Sequence, residues 1–207
     1  MLLAQFLAQQ RQDFIRAFVN AHYPVAIRDV GVLGRFITPS ATWCWDASFG
    51  NGQQALVRVV EGTHKEFWID PNVAYRGAFK SFLEREYGVP ASSIPGDEHA
   101  DHMLNKAFAI KHGLKFVRMA IVPAAYNTGW GSKIEKAMTN ILARDNSCYR
   151  LDCLIFMKVM NIVPPASDAD YRARRVPIAT QLSAETGIPP NQMLTILDGI
   201  FQLWDVV

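Results

Sequence analysis

Apolar residues recur at near-helical spacing at the start of the chain: Leu3, Phe6, Leu7, Phe14, Ile15, Phe18 and Val19. That pattern predicts an amphipathic N-terminal helix over residues 1–22, ending before Pro24, with its apolar stripe packed on the body of the protein. A glycine-bearing, mostly irregular stretch follows, closed by the Asn51-Gly52 turn signal. "ALVRVVEGTHKEFWID" then predicts a hairpin near residues 55–70 about Gly62. "AYRGAFKSFLEREYG" predicts a helix stopped at Gly88 and Pro90.

After Pro95-Gly96, the segment "GDEHADHMLNKAFAIKHG" divides cleanly into two sides when read at 100° per residue. Ala100, Met103, Leu104, Ala107 and Phe108 fall on one side; Glu98, Asp101, His102, Asn105 and His112 fall on the other. A helix over residues 97–112 is therefore predicted, with Gly113 as its stop. "KFVRMAIV", residues 115–122, is rich in β-formers and predicts a buried strand. "SKIEKAMTNILARD" opens with Ser132 and Glu135 at capping-box spacing, and "YRLDCLIFMKVMNIV" predicts an apolar helix halted by Pro164-Pro165. The tail, residues 166–207, predicts two helices broken at Gly187 to Pro190 and packed on the rest. The expected fold class is α+β: one helix-rich domain spanning residues 1–207 with a small sheet, because strands and helices alternate too rarely for a doubly wound sheet.

Composition narrows the function classes. With 207 residues, half of them hydrophobic, the chain is long enough to bury a full core and is not intrinsically disordered. A formal charge of +2 gives no surplus for nonspecific nucleic-acid binding. Cys44, Cys148 and Cys153 are odd in number and form no C-x-x-C pair, which fits reduced thiols and synthesis in a cytosol. The apolar start has no basic leader, and no uninterrupted run approaches the roughly 18 to 20 apolar residues of a membrane span. The expectation is a soluble chain, cytoplasmic when synthesised, that does not enter a membrane; export without a cleavable signal is compatible with it.

Candidate chemistry gathers on the polar side of residues 97–112. A solvated helix face usually carries Lys, Gln and Arg; this one carries Glu, Asp, His and Asn, the types that bind metal ions or move protons. On a helix, Glu98 and His102 stand at i,i+4 and can reach one divalent ion, Mg or Zn, with Asp101 supporting His102. After the strand, Asn127, Gly129, Gly131 and Ser132 predict a loop and helix start suited to an anion, with Lys133 adding positive charge.

Asp101-His102 followed by Asn127, with Glu135 as a later acidic position, resembles the DH…N arrangement of HNH-type metal-dependent nucleases, which include many bacterial antagonistic toxin domains. The resemblance covers residues 97–136 only. In that family the pair lies on a β-hairpin ahead of a helix, whereas here the periodicity puts it inside a helix; a final histidine soon after Asn127 is also missing. The resemblance implies hydrolysis of a phosphodiester in an antibacterial effector, His102 acting as base on water and an acidic side chain positioning the ion. Nucleic acid would be the substrate, and an immunity or carrier protein a partner. Lys106, Arg118 and Lys133 become phosphate contacts and Trp130 a surface for base stacking. The plainer role for Arg118, a charge on an apolar strand, is a salt bridge to a neighbouring element.

Two other classes compete. Cys44, His64 and Asp70 occur in the order of a thiol hydrolase or transferase triad, against the simpler role of Cys44 as a structural cysteine between tryptophans. A non-catalytic partner-binding protein would leave the apolar stripes of both termini exposed.

Overall fold

The computed structural model describes residues 1–20, 23–33, 42–45, 55–60, 64–130 and 147–202. The α-helices among the described residues are α1 (Leu3–Val19), α2 (Val30–Leu33), α3 (Tyr75–Tyr87), α4 (Lys106–Lys111), α5 (Ala124–Trp130), α6 (Cys153–Val159), α7 (Asp168–Thr186) and α8 (Pro190–Phe201). The strands are β1 (Pro24–Ile27), β2 (Thr42–Trp45), β3 (Ala55–Val60), β4 (His64–Ile69), β5 (Glu98–His102), β6 (Phe116–Pro123) and β7 (Cys148–Arg150). This is the α+β arrangement expected, with the hairpin now seen as β3 and β4 and the buried strand as β6. Among the described residues, no helix is long and apolar enough to cross a membrane.

The strands pair antiparallel in the order β2-β3-β4-β6-β1-β7, and β5 pairs with the second half of β6. β6 is the common strand. Val117 faces Ala26 of β1 on one edge and Ile69 of β4 on the other; further along, Met119 to Pro123 face His102 to Glu98 of β5. Seven of its eight residues are buried, as a strand paired on both edges and covered on both faces requires.

The β5–β6 pairing corrects the predicted helix over residues 97–112. The first third is a strand, and helix begins only at Lys106, behind an N-cap in which Asn105 accepts a hydrogen bond from Phe108 N at 3.1 Å. Asn105 is thus a cap. An i,i+4 pair shares a face in either conformation, so the helical arc was not diagnostic over so short a stretch. The unpaired edge of β6 decided the outcome.

Alternation along β6 divides the core. Met119 and Ile121 join Phe67, Ile69, Phe79, Phe82 and Leu83 under α3. Ala120 and Val122 join Phe14 of α1, Phe156 and Met157 of α6, and Leu197 and Phe201 of α8. The described parts of both terminal helices thus turn apolar residues into the core. Glycine supplies the stops expected at α3 and α7: Gly88 at φ 63° and Gly187 at φ 73° take the left-handed conformation that ends a helix cheaply only without a Cβ.

One contact completes the edge of β6. Because Ile121 stands opposite Ala100 in a pair that exchanges no backbone hydrogen bonds, its N–H and C=O point away from β5. Gln10 of α1 takes both: its Nε2 donates to Ile121 O and its Oε1 accepts from Ile121 N, each at 2.8 Å. The amide does the work of one residue of a missing strand. Gln10→Ala leaves both backbone groups buried and unmet, so chemical denaturation is expected to show a loss of about 2 kcal/mol; a change below about 0.5 kcal/mol would contradict this role.

Candidate active site

β5 sets where each predicted catalytic side chain points. Asp101 pairs with Ala120 and His102 with Met119, so the two neighbours lie on opposite faces of the sheet. Asp101 turns toward α6, where its Oδ2 accepts from Lys158 Nζ at 2.5 Å. Lys158 is only 1% exposed, and a lysine buried that deeply requires an anionic partner. His102 turns toward α3, where its ring lies 4.1 Å from that of Tyr75.

The imidazole is 4% exposed, and its Nε2 has no hydrogen-bond partner among the described residues. Burial pushes its pKa down to about 4. The surrounding charges oppose one another: Asp101 raises it, Lys106 and Lys158 lower it, and Asp70 raises it. His102 is consequently neutral near pH 7, the state in which an imidazole accepts a proton.

Glu98 shares the face of His102 but not its neighbourhood. Their Cα atoms are four strand residues apart, about 13 Å, whereas co-ligands each sit about 2 Å from one ion. The predicted Glu98–His102 metal pair is therefore corrected. Asp101, the remaining candidate, has its carboxylate engaged by Lys158 on the other face, and no group of three metal-ligating side chains converges among the described residues. Among the described residues, Glu98, Asp101 and His102 therefore do not converge on one divalent ion.

The glycine-bearing anion loop is also corrected as far as Trp130, because Asn127 and Gly129 lie within α5. Gly129 is there for closeness: a Cβ on it would come within 2.8 Å of Pro164 Cγ. Trp130, expected to stack on a base, is 0% exposed and donates from Nε1 to Ile162 O at 2.8 Å. Arg118, expected to hold phosphate, is 3% exposed; its Nη1 lies 3.3 Å from Glu66 Oε1 and its guanidinium 4.0 Å from the centre of the Phe14 ring. Tyr23 and Trp68 also donate to Glu66, at 2.6 and 3.2 Å. The plainer role for Arg118, a structural ion pair, is the one found. Lys106 alone of the predicted substrate contacts is exposed at a described position. Lys133, Ser132 and Glu135 lie outside the described residues.

Strand register corrects the thiol triad. Cys44 stands opposite Val57, and Val57 opposite Phe67, three positions from His64; that odd offset assigns the Cys44 and His64 positions to opposite faces. His64 begins β4 and Asp70 follows its end, so six residues of strand, about 20 Å, separate them. Asp70 instead lies near His102, and its Oδ1 accepts from Asn72 N and Nδ2 at 2.8 and 2.9 Å.

Lys158, Tyr75 and Gln10 were missed in the sequence. Lys158 is the one cation in the apolar run "CLIFMKVM", and a lone lysine there was the available sign of a buried partner. Comparison with known proteins finds no matching family model, no matching curated protein and no matching solved structure.

Protonation of His102 is coupled to unfolding. Its folded pKa lies below the ordinary value of 6.5, so between about 6.5 and about 4 the unfolded chain binds the additional proton. This contribution to stability is present above pH 6.5 and is lost as pH falls toward 4, by up to about 3 kcal/mol. Denaturation at stepped pH is expected to show a shallower acid decline in His102→Asn than in the parent; parallel declines would contradict the assignment.

Proposed function

We propose that the chain is a phosphodiester-cleaving hydrolase working at the His102 end of β5. The observation that carries this proposal is the order of elements: a strand ending in Asp101-His102, its antiparallel partner β6, then α5 bearing Asn127. Strand, strand, helix is the context the HNH-type nucleases give their catalytic pair. α4 is inserted between the two strands, and the resemblance otherwise stays confined to residues 97–136.

The chemistry follows from the neutral imidazole. His102 accepts a proton from water, the hydroxide attacks phosphorus, and the P–O bond to the leaving alkoxide breaks; the proton held on His102 then passes to that oxygen, which restores the neutral imidazole. Lys106, exposed and close enough to lower the pKa of His102, is suited to contact the phosphate. Lys158 holds Asp101 fixed and keeps the interior charge balanced. Because His102 is 4% exposed beneath Tyr75, substrate access requires that ring to move aside. Service as a bacterial antagonistic effector, with an immunity or carrier protein as partner, belongs to the same proposal and rests on the resemblance alone.

The full chain should be assayed on bis(p-nitrophenyl) phosphate and on single- and double-stranded DNA and RNA, in chelator and with added Mg or Zn. The parent is expected to cleave at least one of these, and His102→Gln to lose at least about 100-fold. No cleavage of any substrate, or equal rates in parent and variant, would remove the proposal.

A further inference from the structure

We propose that the cleft between α1 and the start of β5 binds a short aliphatic primary amine, with the Glu98 carboxylate as its anionic partner. This inference concerns a different part of the molecule from the His102 end and does not rest on the hydrolytic proposal. The cleft measures about 170 Å³. At about 30 Å³ per water-sized group, it has room for about five to six non-hydrogen atoms. Its apolar walls come from Leu7 and Ala8 of α1, Ile121 and Pro123 of β6, and Val159 of α6.

The charges on those walls point to a cation. Arg11 lines the cleft, but its Nη2 is held by Glu185 Oε1 at 2.5 Å, so it offers little to an anion. Gln10 has both ends of its amide committed to Ile121. Glu98 is left without an ion-pair partner among the described residues. Its Oε2 is buried and accepts no hydrogen bond from them, and the half-buried side chain lines the cleft, where a bound cation would meet the carboxylate. Burial, and after it the charge of Asp97, raises the Glu98 pKa, which is the penalty that a bound ammonium would relieve.

The walls set the rest of the ligand. A single carboxylate supplies too few oxygens for Mg or Ca, which take six or more oxygen ligands. One unit charge followed by hydrocarbon matches one carboxylate followed by Leu7, Ala8 and Val159. Asn161, which follows the C-terminal end of α6, adds a neutral polar residue to the lining.

The test is an NMR titration of the full chain with n-butylammonium chloride, with n-butanol and sodium butyrate as matched controls. The expected result is saturable shifts at the amides of Ala8, Glu98 and Asn161, with a dissociation constant on the order of a few millimolar, and weaker or absent effects from both controls. Glu98→Gln is expected to weaken n-butylammonium at least tenfold, about the worth of one charge-assisted contact, and Ala8→Leu to block it by filling the apolar wall. No shifts with the parent chain up to about 50 mM, a range set by the weak affinity expected of so small a ligand, would overturn the proposal. So would equal binding of n-butanol or butyrate, or an undiminished affinity in Glu98→Gln.

Discussion

β6 carries three pairings on eight residues, and the positions of the other functional elements follow from how they divide its length. Its first half is taken on both edges by β1 and β4. Its second half keeps one edge for β5 and gives the other to the Gln10 amide. Buried backbone groups leave few alternatives, since each unmet donor or acceptor costs about 1–3 kcal/mol. Residues 98–102 have weak strand propensity, with no β-branched side chain among them, yet they are extended because β6 needs a partner there. That pairing sends Asp101 to one face of the sheet and His102 to the other.

Two buried ion pairs lie within this frame and differ in their surroundings. Arg118 and Glu66 sit among Phe14, Tyr23 and Trp68, with the carboxylate taking hydrogen bonds from two ring donors. Such a pair fixes the packing of α1 on the sheet and is poorly placed to meet a ligand. Lys158 and Asp101 also join two elements, α6 and β5, but the sequence neighbour of Asp101 is a neutral imidazole with an unmet nitrogen among the described residues. Buried pairs of either kind add little net stability, because desolvation offsets most of the attraction. Removing one partner alone would be costly. What the pairs supply is orientation.

Where periodicity had length to act on, the fold was legible in the chain. α1, α3, α7 and α8 each extend over a dozen or more residues with caps or stops visible as Pro24, Gly88, Gly187 and Pro189-Pro190. β1, β2, β5 and β7 have three to five residues each, too few to distinguish alternation from helical spacing. The site suffered from the same ambiguity: Glu98 and His102 share a face in a strand as in a helix, but the rise per residue roughly doubles, which moves them from neighbours to strangers. The chemical types of Arg118 and Trp130 suit phosphate and base contacts, and only burial shows that their partners are internal. Asp70 and His102, assigned to rival sites in the sequence, lie near each other because β4 and β5 both approach β6, a consequence of topology that no local pattern encodes.

The orientation of Asp101 and His102 rests on β5 being a strand in the stated register, and proton NMR of the unmodified protein tests this most directly. Ala100 facing Ile121 and His102 facing Met119 as non-hydrogen-bonded antiparallel pairs have closely spaced Cα atoms, about 4.5 Å apart. Strong cross-strand Hα–Hα contacts are expected for both pairs. Their absence, together with continuous amide–amide contacts from Glu98 through His112, would show a single helix and contradict this pairing.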